Sequence, residues 1–390
     1  MKSLSVCFLC NEYPPEPHGG VGRYVQLIGR AMAAAGCRVR VVGLHGGQST
    51  APEFEEDRGV QVYRLPRPPR DFLSIASRTL LYRKVAAWSR RGEIDLVEAA
   101  DAQGWPALWP RLEAPLVIKV NGSISYFAQE AGRRPPRYDF WVERAAFRRA
   151  EFWYSCSRYA ADRTEALFGV RPADEVIYNP GFDGQSLGRP AAFEHPERTR
   201  NRVVFTGTLT GKKGVRELIA AWPAVRRRRP DAALDLYGKG EAMRRSLIDA
   251  LPEEDRASVR FHGHVSQETL RSALAAARVA VFPSFAEAFA LAPMEAMAQS
   301  CPTIYSLQTS GEELMTHERD GLLVDPRRPE EISAAILRLL DDDALATRLG
   351  GAGQRRVLEN FTTEQILPRQ IRFYEKCLAH SMRLPEPVLA

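Results

Sequence analysis

Short apolar, β-branched runs separated by amphipathic stretches recur along the chain. Val6 to Leu9 precedes a Pro/Gly-rich loop, a helical pattern from about Val21 to Ala35, Gly36, and the apolar run Arg38 to Leu44. Further strand candidates are Val60 to Leu65, Leu96-Val97, Leu116 to Val120, Phe152 to Ser155 and Glu175 to Tyr178. Strands alternating with helices of this length predict a parallel sheet covered on both faces. A polar segment between about Phe182 and Thr199, with Gly188, Pro190, His195 and Pro196, interrupts the pattern and reads as a linker. The alternation restarts with Arg202 to Thr206, a helix from Val215 to Val225, Ala233 to Tyr237, Val259 to His262, a helix near Gln267 to Ala277, and Val279 to Phe282. Two more units follow, around Met294 to Ala298 and Glu330 to Leu340. The pattern therefore predicts an α/β chain of two doubly wound domains, residues 1–184 and 200–362, joined by a linker at 185–199. A last amphipathic stretch within 363–390 is expected to return to the first domain.

At 390 residues the chain exceeds the usual single-core size, and 45% hydrophobic residues suffice for two cores. Met1 and Lys2 run straight into Leu4 to Cys10, which reads as a first strand and not as a signal peptide. No apolar run approaches the roughly 20 residues that cross a bilayer. Six scattered cysteines suit a reducing compartment, and the expected location is cytoplasmic. Cys7 and Cys10 spell C-x-x-C, but residues three apart on a strand point to opposite faces, so both read as buried thiols. His262 and His264 share a strand end with no expected cysteine or acidic partner, and no metal site is expected.

The net charge of +6 is unevenly placed. Eight basic residues lie between Arg64 and Arg91 against Asp71, and Arg133, Arg134, Arg137, Arg144, Arg148 and Arg149 face only Asp139 and Glu143 nearby. A solvated helix face is one reading. Attraction to an anionic acceptor or to anionic lipid at a membrane face, through a transient peripheral contact of the N-terminal domain, is the other. The cations are not interleaved with a stacking or groove-reading module, which argues against nucleic acid.

The segment Pro283 to Ala298 follows an apolar strand and opens a helix. Within it Glu287 sits in the loop and Glu295 just inside the helix. A buried carboxylate needs a hydroxyl-rich partner, and free amides at a helix N-terminus suit a phosphate. Glu295 is thus expected to accept from ribose hydroxyls and Glu287 to orient a transferred sugar, with the amides of Phe289, Ala290 and Leu291 meeting sugar or diphosphate oxygens. Helix capping or an ordinary surface position is the bland alternative for both glutamates.

This segment resembles the E-x7-E motif of the retaining glycosyltransferases of family 4, which have the GT-B fold. That fold implies two Rossmann-like domains facing across a cleft. Ala288 and Ala290 stand where the family commonly has glycines. Asn11 to Pro15 followed by Gly19-Gly20-Val21-Gly22 resembles the glycine-rich loop after the first strand, which implies that Gly19, Gly20 and the next helix amides meet a phosphate or donor sugar. Phe205 to Gly214 resembles the G-R-L…K-G diphosphate segment: Lys213 matches its lysine, Lys212 supplements it, and Thr208 falls where arginine is usual. A lysine there offsets charge on the diphosphate leaving group; a solvated turn is the alternative. Gly238 in Leu236 to Gly240, His264 in Phe261 to Val265, Ser310 to Leu314 and Asp320 to Val324 resemble the remaining donor-side tract, although these glycines also serve as strand terminators.

On the acceptor side Val117 to Ser123 resembles a strand ending in H-G, with Asn121 in place of the histidine. Asparagine carries no proton near neutral pH, so general acid-base work there is excluded and a positional role or a structural turn remains. The resemblance implies that the leaving phosphate assists deprotonation of the acceptor. Glu98 and Asp101 are candidates to reach acceptor hydroxyls, or else cap the next segment. Asn179 and Asp183 are expected to order a turn through backbone bonds.

The resulting expectation is a retaining transferase that moves a sugar from a nucleotide-diphosphate donor to a hydroxyl acceptor in polysaccharide, glycolipid or glycoside biosynthesis. Lys213, Glu287 and Asn121 are its reacting-centre residues, and no cofactor or metal is required. The rivals are a glycan- or nucleotide-sugar-binding protein with little turnover, and a sugar-nucleotide 2-epimerase or phosphorylase of the same fold.

Overall fold

A computed structural model describes residues 3–16, 19–46, 51–183, 199 and 201–381. The expected linker at 185–199 thus lies outside the described residues, apart from Thr199. The chain divides into two compact units, Met1–Pro180 with Thr363–Ala390, and Gly181–Thr362.

The first unit holds strands β1 (Ser5–Leu9), β2 (Arg38–His45), β3 (Phe54–Asp57), β4 (Val60–Pro66), β5 (Leu96–Ala100), β6 (Leu116–Val120), β7 (Phe152–Ser155) and β8 (Glu175–Val176), in the order β3-β4-β2-β1-β5-β6-β7-β8. All neighbours are parallel except β3 and β4, an antiparallel hairpin. Arg58 and Gly59 form its turn with φ of 50° and 85°, the backbone sense that keeps a two-residue hairpin twisted with its strands. Arginine at the first of these positions is a poor turn signal, which is why the sequence pattern does not reveal β3.

One face of this sheet is covered by the helices Gly20–Ala34 and Thr363–Ser381, whose apolar stripes join Phe8, Val39 and Val41 through Val25, Ile28, Met32, Ile366 and Phe373. The final helix is also held by a buried polar chain. Gln370 Nε2 donates to the Tyr154 hydroxyl at 2.7 Å, the Tyr154 hydroxyl donates to Glu98 Oε2 at 2.6 Å, and the Tyr374 hydroxyl donates to the same Glu98 oxygen. The Lys119 ammonium lies 4.3 and 4.4 Å from the ring centres of Tyr24 and Tyr154, a cation–π position in the core. Burial pushes the Glu98 carboxyl up and the Lys119 ammonium down from their ordinary ranges, each partly opposed by the other's charge. Glu98 is therefore a core residue, neither the acceptor contact nor the cap of the next segment that were its two candidate roles.

The second unit holds β9 (Arg202–Thr206), β10 (Ala233–Tyr237), β11 (Val259–Gly263), β12 (Val279–Phe282), β13 (Thr303–Ser306) and β14 (Leu322–Val324), all parallel, in the order β11-β10-β9-β12-β13-β14. Val203, Phe205, Leu234 and Leu236 pack under the helices Val215–Arg228 and Pro329–Asp341 through Leu218, Trp222, Ile336 and Leu339. The helix Asp343–Asn360 is not legible as a periodic stretch because glycines interrupt it. Its start is fixed by Asp342, whose side chain accepts from Leu345 N at 2.8 Å. Gly353 packs so closely that an added Cβ would lie 2.9 Å from the Asp320 carbonyl oxygen.

Both sheets run outward from their first strand and then resume on its other side, so strand order reverses between β1 and β5 and between β9 and β12. In open parallel sheets ligands bind at such a reversal, outside the C-terminal ends of the strands.

Tyr374→Phe takes one hydroxyl donor from a buried carboxyl group and should cost about 1–3 kcal/mol. Urea unfolding at pH 7 is expected to show a lower midpoint with an unchanged slope; an unshifted midpoint would mean that this contact does not hold the final helix.

Candidate active site

In the second unit the reversal brings the loop after β9 against the loop after β12. The first begins at Gly207 and ends in a 3-10 turn, Gly211–Lys213, closed by Gly214 at φ 66°. A Cβ on Gly214 would stand 1.7 Å from the Pro283 carbonyl oxygen, so only glycine lets the loops meet. Phe285 N donates to the Lys212 carbonyl at 2.8 Å and ties them together. The Lys213 ammonium pairs with Glu287 Oε1, the carboxylate side chain being 9% exposed and the lysine 25%. Burial, then repulsion from Lys213, lowers the Lys212 ammonium below its ordinary range, while Glu287 opposes the shift.

Beyond Glu287 the chain enters the helix Leu291–Ala298, whose N-cap Ala290 offers no side-chain acceptor to the first-turn amides. Phe289 is buried with its ring centre 5.5 Å from that of Phe361, and Glu295 is half-buried on the helix. Gly238 follows β10, and a Cβ there would lie 1.9 Å from the Gly207 carbonyl oxygen, so its first requirement is close loop packing. Gly238 N also donates to the Gly263 carbonyl at 2.7 Å, which sets the loop after β11 alongside. Thr208 and His264 are exposed on these loops. His262 does have an acidic partner, contrary to expectation: its Nε2 lies 2.7 Å from Asp235 Oδ1, and its ring stacks 4.3 Å from Tyr237. These partners were illegible because they come from the adjacent strand.

Three buried hydroxyls escaped the sequence reading. Thr206 Oγ1 at the end of β9, Thr210 Oγ1 in the following loop and Ser310 Oγ after β13 have no hydrogen-bond partner. Their shared signal is position, at or just past the ends of strands that flank or form the reversal.

In the first unit Gly19 and Gly20 begin the helix after β1. The Gly19 amide is not open to a ligand phosphate as expected: Glu12 reaches back and accepts from Gly19 N at 3.2 Å and Gly22 N at 2.8 Å. An internal carboxylate thus takes the place at the helix N-terminus that favours an anion. Gly20 has open space beside its Cα.

Asn121, half-buried after β6, lies in a second polar group. Its backbone nitrogen donates to Asp101 Oδ1 at 2.9 Å, and Asn179 Nδ2 donates to its side-chain oxygen at 3.1 Å. Asn179 therefore acts through a side chain and not through the turn backbone alone. Asp101 Oδ2 and Asn179 Oδ1 are buried without hydrogen-bond partners. Nearby, Glu143 accepts from Gln103 N, Ile124 N and Ser125 N at 3.1, 3.0 and 3.1 Å. Burial pushes the Asp101 carboxyl up to about 7, with the Asn121 amide bond opposing the rise. Cys7 and Cys10 are both buried, and burial raises each thiol to about 12, far from the range of a reactive thiolate. Among the described residues no group of three or more His, Cys, Asp or Glu side chains could hold a metal ion.

Two doubly wound sheets, one carrying a basic loop pair beside a helix N-terminus at its reversal point, define a GT-B type of protein. Family models agree on both halves: "Glycosyl transferases group 1" matches residues 200–342, and "Glycosyl transferase 4-like domain" matches residues 19–180. Glycogen synthase of Mycobacterium tuberculosis (strain H37Rv) is 28% identical over 406 residues, covering 97% of this chain and 96% of that protein. Among solved structures, sucrose-phosphate synthase from Thermosynechococcus elongatus superimposes with a TM-score of 0.80 at 23% identity, over 97% of this chain and 100% of its own. Anabaena HepE in complex with UDP-glucose gives 0.73 at 19% identity, over 96% of this chain and 100% of its own. The chain belongs to the glycosyl transferases of group 1, the family-4 enzymes with the GT-B fold.

The Asp101 shift has a definite sign. Unfolded Asp101 loses its proton near its ordinary value of 3.8 and the folded carboxyl at about 7, so deprotonation favours the unfolded chain and stability falls as pH rises between the two. Asp101→Asn should flatten this part of the decline, read as urea midpoints across that window; parallel profiles for the variant and the parent would remove Asp101 as the cause.

Proposed function

We propose that this glycosyltransferase moves a sugar from a nucleotide-diphosphate donor to a hydroxyl acceptor in glycan biosynthesis, with retention at the anomeric carbon. The observation that carries the reading is the Lys213–Glu287 pair at the reversal of the second sheet, beside a helix start without a side-chain cap. Glycosidic cleavage leaves negative charge on the diphosphate, and fixed donors aimed at that charge lower the barrier without reorganising. Lys213 and Lys212 supply cations there, and the amides of Phe289, Ala290 and Leu291 supply dipoles. Glu287 orients the sugar hydroxyls and Glu295 the ribose. Thr208, Gly238 and His264 border the nucleotide, with Thr208 offering a hydroxyl where an arginine would offer charge.

Asn121 holds a hydroxyl of the reacting sugar and exchanges no proton. In a retaining displacement the leaving phosphate oxygen takes the acceptor proton on the same face, so no protein base is assigned. The relatives support glucosyl or related hexosyl donors: one is a glycogen synthase, another is held in complex with UDP-glucose. We place the work in the cytoplasm, at or near an anionic membrane face. The exposed Arg67, Arg70, Arg133, Arg134 and Arg137 of the first unit support the membrane face; no helix among the described residues is long and apolar enough to cross a membrane.

Glu295→Ala should weaken binding of the intact nucleotide sugar about 10- to 100-fold by calorimetry, the loss of a charged hydrogen-bond pair. Lys213→Ala should lower turnover about 100- to 1000-fold with a smaller effect on binding. Donor affinity equal to the parent in Glu295→Ala would sink the ribose contact, and an inverted product by proton NMR would sink retention.

A further inference from the structure

The first unit carries an exposed apolar turn that the donor chemistry does not use. Phe72, Leu73 and Ile75 are 80%, 44% and 55% exposed, and Trp141 is 53% exposed on the helix Arg137–Arg149. Trp141 belongs to the same surface: the Tyr138 hydroxyl, one helical turn before it, donates to the Leu73 carbonyl. The turn is strained, with Leu73 and Ser74 both left-handed at φ 50° and 57°. A bulky leucine there is an outlier that the surroundings must hold. They do so from two sides. Asp71 Oδ1 accepts from Ala76 N at 2.9 Å and Ser77 N at 3.3 Å. One turn into the next helix, the buried Arg78 guanidinium donates to the carbonyls of Gln103 at 2.8 Å and Trp105 at 2.9 Å, and to that of Gly104. A rigid base thus presents large apolar side chains to water.

Cations lead into this surface from both segments. Arg67 and Arg70 precede the turn, and Arg133, Arg134 and Arg137 precede or open the helix that holds it. All five are exposed, and none has an ion pair among the described residues. The acids alongside are Asp71, committed to two amides, and Asp139. A second copy of the chain would set these cations against their own kind. Nucleic acid would leave the aliphatic Leu73 and Ile75 without a partner. An anionic bilayer satisfies both parts, because its headgroups take the guanidinium groups and its acyl boundary takes the apolar side chains.

We propose that residues 72–75, with Trp141, insert into the headgroup–acyl boundary of an anionic membrane, flanked by Arg67, Arg70, Arg133, Arg134 and Arg137. This deepens the membrane-face reading above and is independent of the donor assignment. It places the enzyme where a lipid-linked hydroxyl acceptor is presented.

The test is flotation of the full chain with vesicles of phosphatidylcholine alone or with 30% phosphatidylglycerol, a fraction chosen at roughly physiological anionic content. Binding is expected with the anionic vesicles only. It should fall on the order of a hundredfold in R133A/R134A/R137A, at about fivefold per cation, and at least about tenfold in F72D/I75D. Both variants alter exposed side chains, and unchanged melting temperatures check that they fold. Trp fluorescence should shift to the blue on anionic vesicles, and the shift should vanish in Trp141→Phe. No parental binding to anionic vesicles overturns both the membrane reading and the inserted turn. Parental binding that F72D/I75D leaves intact overturns the insertion alone. A concentration-dependent dimer abolished by F72D/I75D, or preferential capture of RNA at the same salt, overturns the lipid assignment.

Discussion

The second unit depends on one contact between neighbours that are distant in sequence: the ion pair of Lys213 with Glu287 across the reversal between β9 and β12. A carboxylate largely removed from water is costly unless paired. The pair therefore does more than bridge two loops, because it sets a cation against a largely buried carboxylate. Gly214 is the geometric condition, since any Cβ there meets the Pro283 carbonyl. The two partners are unequally covered, 25% for the lysine side chain against 9% for the glutamate, so the cation has the smaller desolvation debt. On the proposed reading this asymmetry matters: an arriving diphosphate can recruit the more exposed Lys213, with Lys212 as a second cation, while Glu287 turns to sugar hydroxyls.

The first unit solves the same problem differently. Its helix N-terminus after β1 is filled by Glu12, and Asn121 is held between Asp101 and Asn179. Glu98 collects the Tyr154 and Tyr374 hydroxyls near Lys119, so the final helix is fixed to the sheet by directional bonds as well as by apolar contact. Removing one partner from such a network exposes a buried group to its full desolvation cost, whereas apolar packing alone would tolerate exchange. The network also explains why a conspicuous carboxylate on a strand need not be a site: Glu98 lies before the strand end and points inward, while Asp101 lies just past it.

This distinction shows how much was legible in advance. Alternating apolar runs and amphipathic stretches located most strands, because a parallel sheet buried on both faces writes itself as continuous hydrophobic runs. The β3 hairpin and the glycine-broken helix Asp343–Asn360 carried no such signal, since one depends on a turn residue with weak preference and the other on close glycine packing. Local spacing placed Glu287 in a loop and Glu295 in a helix. It could not pair Lys213 with Glu287, Glu12 with Gly19, Asp235 with His262 or Asn179 with Asn121, because each pair depends on tertiary placement. The orphan hydroxyls of Thr206, Thr210 and Ser310 were hidden for the same reason: a threonine at a strand end is unremarkable until burial denies it a partner.

Asn121 is where these two kinds of information meet. The sequence alone says that an amide replaces a titratable ring and therefore moves no proton. The structure adds that this amide is held at two points, its backbone by Asp101 and its side-chain oxygen by Asn179. A group so fixed loses little rotamer entropy when it meets a hydroxyl, and preorganised donors keep their value because nothing reorganises as charge develops. The raised pKa behind it belongs to Asp101, whose free oxygen is buried and whose other oxygen is already engaged. On the proposed reading proton exchange and positioning are separated: the titratable Asp101 supports the loop, and the neutral Asn121 side chain positions a hydroxyl. In a displacement where the leaving phosphate takes the proton, a neutral positioning residue at this place is sufficient.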